Sequence, residues 1–214
     1  MLRPYAPLPP PPSTGAIIPA ARIPTILSPM HLVVPAADHL ASYRDALARG
    51  WSPDTRRPAA AGEELQRVEA DPARFLREQD DMTASGPPIH LPDGTAVPRL
   101  PGYRRWLWDG AFAGVISFRW QPGGESLPPY CLGHVGYSVV PWRQGRGYAT
   151  KALRHFLADL PPLGLRYVEL TCNTDNAASR RVIEVNGGVL VEQFSPPNVV
   201  GGGESLRFRI ALSQ

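Results

Sequence analysis

The sequence predicts a mixed α/β domain of the α+β kind. Three observations predict it. Strand-type patterning dominates residues 104–140 and returns at 166–172, 189–194 and 206–212. Helix-type periodicity appears at 38–49, 63–82, 147–160 and 176–186, so the two kinds of element are interleaved. The chain has 214 residues, 43% of them hydrophobic, which suits one domain with a core that needs no disulfide or structural metal.

In chain order, His31-Leu32-Val33-Val34 reads as a first strand closed by Pro35. Asp38–Arg49 repeats Leu40, Tyr43 and Leu47 on one helical face and stops at Gly50. Glu63 to about Met82 is a second helical region with Leu65, Val68, Phe75 and Leu76 apolar. Pro72 marks a break there or a new first turn. Ser85–Gly102 holds five prolines and reads as a long loop, a length often tied to function. Arg104–Trp108 and Gly114–Trp120 flank Asp109-Gly110, a hairpin turn signal. Trp106, Trp108, Phe118 and Trp120 alternate on these strands and are expected to pack in the core. After the loop Gln121–Pro129, His134–Val140 is a strand stopped by Pro141. Gly147–Leu160 is an amphipathic helix with Ala152, Leu153, Phe156, Leu157 and Leu160 on its stripe, ended by Pro161-Pro162. Arg166–Cys172 is a strand, and Asn176–Asn186 a short helix closed by Gly187-Gly188. Val189–Phe194 and Leu206–Leu212 are the last strands.

Composition excludes several classes. Nine of the 26 prolines lie in residues 1–29, so that stretch is expected to be a disordered tail, with a proline-motif ligand as the alternative. The globular domain is expected over residues 30–214. No apolar run approaches the roughly 20 residues of a membrane helix. Ala16–Ala21 is too short for a signal-peptide core. Cys131 and Cys172 are too few for a disulfide framework and are expected to be small core residues. These features point to a cytoplasmic protein. The histidines show no metal-ligand spacing and no Cys-x-x-Cys occurs, so no metal is expected. Net charge is +3, and Lys151 is the only lysine among 22 basic residues. Acidic residues interleave with the arginines, which weakens a nucleic-acid reading.

The segment that carries chemistry is Val139-Val140-Pro141-Trp142-Arg143-Gln144-Gly145-Arg146-Gly147-Tyr148-Ala149-Thr150. It is a strand end, a turn with two glycines and two arginines, and a helix start. Glycine lets the backbone approach a ligand closely. The first helical N–H groups lack intrahelical acceptors and carry partial positive charge, which makes an anion site. Arg143 and Arg146 can add charge-assisted bonds to a phosphate. The Gly-Lys-Ser/Thr ending of a P-loop is missing, and only Gly145 and Gly147 of a dinucleotide fingerprint are present. The segment fits a diphosphate; an ordinary strand-to-helix turn is its alternative.

Two further features narrow this. Gln144-x-x-Gly147-x-Ala149 opens an amphipathic helix, and 27 residues after Ala149 comes Asn176-Ala177-Ala178-Ser179 at the start of another. With Gly133-His134-Val135-Gly136-Tyr137, these residues resemble the GNAT superfamily of acetyl-CoA-dependent N-acetyltransferases. The resemblance is to the branch with a Gly-His-x-Gly-Tyr strand and an Asn-x-x-Ser helix start. Its motifs span residues 132–190, and element order extends it to 30–214. It implies a central mixed, mostly antiparallel sheet of six to seven strands flanked by about four helices. It implies that Gln144, Gly145, Arg146, Gly147, Tyr148 and Ala149, with Arg143 and Thr150 beside them, hold the coenzyme pyrophosphate. Val139 and Val140 would lie beside the thioester, where a strand N–H polarises the acetyl carbonyl. Asn176 would bond the pantetheine chain.

The implied reaction is direct attack of a neutral amine on the acetyl-CoA thioester. Aliphatic amines titrate near about 10.4, so the site needs a base or a water path. Many relatives carry a Tyr acid seven residues after the helix Asn; here that position is Ile183. Ser179 is the substitute that the branch suggests, with helix capping as its alternative. His134 is the best-matched base, its side-chain type titrating near about 6.5, with a structural histidine as the alternative. Glu169 is the carboxylate candidate, with a solvated sheet edge as its alternative. Strand alternation puts His134, Gly136 and Ser138 on one face and Val135, Tyr137 and Val139 on the other. The implied acceptor is a primary amine of a small molecule or peptide, with no nucleic acid and no membrane; a homodimer stays open. The alternative function is a catalytically weak acyl-CoA-binding regulatory module of the same fold.

Overall fold

The structure is a computed structural model that describes residues 29–54, 57–91, 93–198 and 202–212. Nearly all of the proline-rich segment expected as a tail lies outside the described residues. Ten strands and five α-helices follow in order: β1 (His31–Val33), α1 (Leu40–Ala48), α2 (Ala60–Ala70), α3 (Pro72–Arg77), β2 (Asp80–Asp81), β3 (Ile89–His90), β4 (Ala96–Val97), β5 (Gly102–Trp108), β6 (Phe112–Arg119), β7 (Val135–Val139), α4 (Tyr148–Ala158), β8 (Tyr167–Asn173), α5 (Ala177–Val185), β9 (Val189–Phe194) and β10 (Ser205–Ala211). The interleaved order is the one that the sequence predicts.

The second helical region is split at Pro72. Asp71 caps the new start, its carboxylate accepting the Arg74 N–H at 2.8 Å. The helix stops at Arg77, short of Met82, because the next residues are drawn onto a strand. Arg104 N–H donates to Gln79 O at 2.8 Å, and Asp80 and Asp81 pair with Tyr103 and Gly102. Tertiary pairing overrides a helical pattern here. The long proline-rich loop contains a small hairpin, β3 with β4. Cys172 is buried as expected, whereas Cys131 is only half-buried, on the loop that leads to β7.

Eight strands form two main sheets. One has the order β1-β5-β6-β7 with β2 also on β5, and the other the order β8-β10-β9. All strand pairs among the described residues are antiparallel. Cross-strand partners share a face. On one face of the first sheet, Leu107, Ile116, Phe118 and Val135 pack with Ala152, Leu153 and Phe156 of α4. Val168, Leu170 and Cys172 of β8, Phe208 of β10 and Ile183 of α5 join the same core. On the opposite face, Trp106, Phe112 and Val115 pack with Tyr43, Leu47, Val68 and Phe75 from the first three helices. Trp106, Phe118 and Trp120 are core residues, as expected, and Trp108 packs partly buried against the cluster that holds Trp106. Each such side chain contributes about 1.5–3 kcal/mol by leaving water. Among the described residues no helix is long and apolar enough to cross a membrane.

Candidate active site

The two sheets meet along the edges of β7 and β8. They are pinned at the start of β7, where His134 N–H donates to Glu169 O at 2.8 Å. Glu169 N–H in turn donates to His134 Nδ1 at 2.9 Å. Beyond this clasp the strands belong to separate sheets, so a cleft opens between them. The peptide groups of β7 alternate in direction. Val140 N–H donates to Ala113 O, and Gly136 and Ser138 pair with Ser117 and Val115, so past His134 the even-numbered residues turn carbonyls and amides toward β6. Val135, Tyr137 and Val139 therefore turn theirs toward the cleft. The resemblance called for a strand N–H at this edge.

At the far end of β7 the chain makes the glycine turn. Gly145 and Gly147 both have φ near +74°, at +74 and +73, in the left-handed region that glycine enters freely. A Cβ at either would meet nothing within 4 Å, so both face open space. Gly147 caps α4 with no side-chain bond to its amides. The first backbone bond onto this cap is Lys151 N–H to Gly147 O at 3.1 Å. Among the described residues, the amides of Gly145, Arg146, Gly147, Tyr148, Ala149 and Thr150 donate to no backbone carbonyl. Six N–H groups without a backbone acceptor thus lie at or next to the positive end of a helix dipole. Gln144 Nε2 donates to Val139 O at 3.1 Å and ties the turn to the strand end.

Both ends of the turn are held by one buried carboxylate. Asp109, from the β5–β6 hairpin, accepts the Tyr148 hydroxyl on Oδ2 at 2.8 Å; Arg143 Nε lies 2.7 Å from the same oxygen, and Arg143 Nη2 donates to Oδ1 at 3.4 Å. The Asp109 side chain is 0% exposed. Burial, then the Asp109 carboxylate, raises the Tyr148 hydroxyl above its ordinary pKa, so it stays a donor. Arg143 thus holds the turn from behind, while Arg146 is exposed on the turn itself. Asp109 was missed by sequence reasoning, which saw in it only a hairpin signal; no local pattern marks a partner 34 residues away.

Across the cleft, Asn176 caps α5, its Oδ1 accepting the Ser179 N–H at 2.9 Å. Ser179 Oγ is 2.8 Å from the Tyr137 hydroxyl, which also donates to Ser179 O at 3.2 Å. Tyr137 was also missed as a site residue. Burial pushes its hydroxyl pKa up to about 12, so it stays protonated. Ile183 is fully buried in the core below.

His134 and Glu169 are brought together, but each is engaged. The His134 ring is 0% exposed, Nδ1 accepts a backbone N–H, and Nε2 has no partner among the described residues. A neutral ring bonded this way carries its proton on Nε2. Burial lowers its pKa, so the neutral ring is favoured. Glu169 is 8% exposed and ion-paired to Arg209 at 3.0 Å and Arg207 at 3.7 Å. Val140 is also fully buried, in the cluster with the first three helices, and its N–H is taken by Ala113 O at 3.0 Å. Two open hollows of about 430 and 460 Å3 lie elsewhere and contain none of these residues.

The acetyltransferase (GNAT) domain family matches residues 36–189. No curated protein sequence matches the chain. Among solved structures, the microcin self-immunity acetyltransferase MccE, in complex with acetyl-CoA and AMP, is similar at a TM-score of 0.56 and 14% identity, over 85% of this chain and 92% of that one. The ribosomal alpha-N-protein acetyltransferase RimL, in complex with coenzyme A, gives 0.56 and 15%, over 86% and 94%. An acetyltransferase from Salmonella typhimurium that modifies the N-terminal serine of a ribosomal protein gives 0.51 and 15%, over 86% and 95%. At these identities the likeness is one of fold.

Proposed function

Because the chain belongs to the acetyltransferase (GNAT) domain family, we propose that it transfers the acetyl group of acetyl-CoA to a primary amine of a small molecule or peptide by direct attack. The observation that carries this reading is the turn of free amides at 145–150, set at the mouth of the β7–β8 cleft. The open space over Gly145 and Gly147 fits a pyrophosphate, with Arg146 beside it. Val139 and Tyr137 offer cleft-facing N–H groups to the carbonyl oxygen on which charge develops. In other enzymes one such donor is worth about 2.7–4 kcal/mol. The bound thioester supplies the acyl group and a thiolate leaving group. Asn176 keeps its side-chain NH2 free to bond the pantetheine arm. Ser179, paired with Tyr137, stands as the acid that returns a proton to sulfur. His134 and Glu169 serve to clasp the sheets, and water in the cleft carries the amine proton away. The domain responsible is the stretch 30–214.

The test uses the turn itself. Thermal unfolding should shift upward with acetyl-CoA; ligand at 100 times its dissociation constant adds about 2.7 kcal/mol. Gly147→Asp should abolish that shift, because it sets a carboxylate among the amides. Gly147→Asn, which tolerates positive φ and adds no charge, should retain most of it. Equal loss in both would tie the effect to backbone strain and remove the pyrophosphate from this turn. A second reading, the weak acyl-CoA-binding module, is favoured by the engagement of both candidate bases and by Ile183. Tight acetyl-CoA binding without thiol release across a panel of amines would select it.

A further inference from the structure

The face of β7 opposite α4 carries a feature that coenzyme binding does not use. Arg119, at the end of β6, is half-buried, and among the described residues its guanidinium has one hydrogen-bond acceptor, Ser117 Oγ at 2.7 Å. Among the described arginines, Arg77, Arg119, Arg146, Arg154 and Arg181 have no carboxylate within 4 Å, and Arg119 alone of these is not exposed. A partly desolvated guanidinium without a counter-charge is costly. Arg104, the cross-strand partner of Ser117, is neutralised by Glu64 at 3.1 Å, so the charge left here is that of Arg119.

Gly136 is built around this guanidinium. It is in mid-strand and has no positive φ, so backbone freedom does not explain the glycine. A Cβ there would sit 3.2 Å from Arg119 Nη2 and 3.7 Å from Ser117 Oγ. Glycine inside a strand weakens it and marks a place where something approaches closely. Ser117 Oγ donates to Gly136 O at 3.3 Å and so presents its lone pair to Arg119, holding the fork in place. Two residues on, Ser138 Oγ accepts the Trp51 indole N–H at 3.0 Å and keeps its own proton to donate. Arg119 and Ser117 are on β6, and Ser138 is on β7, the strand whose other edge faces the cleft. The face covered by α4 is filled with core side chains, whereas on this face Ser117, Arg119 and Gly136 are only half-buried, so an acceptor reaches mid-β7 from this side.

We propose that Arg119, set by Ser117 and Gly136, binds a carboxylate of the acceptor, so that the substrate is an amine that also carries an acid group. The inference rests on the acetyltransferase reading above and adds the substrate class. Arg presents a planar fork that matches a carboxylate in bidentate fashion. The probe is succinate, with its diamide succinamide as the uncharged isostere and inorganic sulfate as a tetrahedral anion. The readout is the side-chain Nε–H NMR resonance of Arg119, assigned by its loss in Arg119→Lys. Succinate should move this resonance and saturate it, and succinamide should leave it in place. Gly136→Ala should weaken the succinate response roughly tenfold, as expected for losing a charge-assisted bond, while the acetyl-CoA thermal shift is kept. No movement with succinate, equal movement with succinamide, or movement with sulfate alone would overturn the assignment. Acetyl-CoA binding is measured on the same sample. Binding of acetyl-CoA with Arg119 silent removes this inference and keeps the enzyme; succinate bound at Arg119 without acetyl-CoA binding removes the acetyltransferase reading.

Discussion

Ser179 is available for the proposed acid role because another residue does its local work. Ser near a helix start is ordinarily a cap. Here Asn176 takes that role, and the Ser179 N–H is the group being capped. The hydroxyl is left to Tyr137, at 2.8 Å. A proton donor near a leaving thiolate acts in the transition state and adds little to ground-state binding. Ser179→Ala should therefore lower kcat by about a hundredfold, the lower end of general acid catalysis, with the KM for acetyl-CoA nearly unchanged. Tyr137→Phe should lower kcat in the same direction by less. Steady-state thiol release reads both, and a parallel loss of affinity would return Ser179 to a structural role. The residue types of this site were legible in the sequence, since Asn-x-x-Ser and the Gly-His-x-Gly-Tyr strand are local patterns. Their engagements were not. Nothing near Glu169 announces Arg207 and Arg209, which reach it only once β10 has paired with β8. Nothing near His134 announces that a backbone amide of another strand takes its Nδ1.

At the scale of elements, the glycine turn proposed to hold the coenzyme is a loop braced by a hairpin. The position of the turn was readable because glycine at left-handed φ and a helix start leave marks in adjacent residues. The brace was hidden because Asp109 lies on a different element, and hairpin chemistry alone accounts for an Asp-Gly pair. The second helical region misled for a similar reason: β2 forms only where β5 offers it an edge. The brace has a measurable consequence. Asp109 is buried, and Arg143 and Tyr148 converge on it from the two ends of the turn. Removing one partner of a buried ion pair leaves the other charge uncompensated and costs about 3–5 kcal/mol. Asp109→Asn should sit near the lower bound, since an amide oxygen can still accept from Tyr148. Chemical denaturation should show that loss in the absence of coenzyme. Acetyl-CoA affinity should fall as well, because a turn free to move must be ordered on binding. Tyr148→Phe removes the hydroxyl and keeps the ion pair, so it should give the smaller loss of both. Unchanged affinity in Asp109→Asn, despite the lost stability, would show that the turn holds its shape without the brace.

At the scale of the molecule, two sheets share one core yet, among the described residues, are joined along the β7 and β8 edges by one clasp, His134 with Glu169. The clasp needs a neutral imidazole. A protonated ring carries hydrogen on Nδ1 and cannot accept the Glu169 N–H, and burial already lowers the His134 pKa from 6.5. The sign follows from linkage. Below about pH 6.5 the unfolded chain binds a proton that the folded protein refuses, so stability is full above that value. It falls as pH drops toward the lowered folded pKa. Carboxylates act in a separate window. For Glu78, burial alone would raise the pKa, but Arg74 and Arg67 hold it below the ordinary 4.5; for Asp81, the Gly86 and Ser85 amides outweigh burial and hold it below 3.8. Their contributions are lost only below those ordinary values. Melting temperature followed from pH 7.5 downward should therefore decline in a first step near and below pH 6.5, before any carboxylate step. His134→Asn supplies an amide oxygen where Nδ1 stood and has nothing to titrate, so its first step should vanish while the lower one remains. The same variant tests the catalytic alternative. A clasp residue replaced by an isosteric acceptor should keep the pH profile of thiol release, whereas a base replaced by Asn should lose the limb that rises near neutrality. Loss of that limb with the melting curve unaltered would return proton transfer to His134 and leave the sheets to be held by their common core alone.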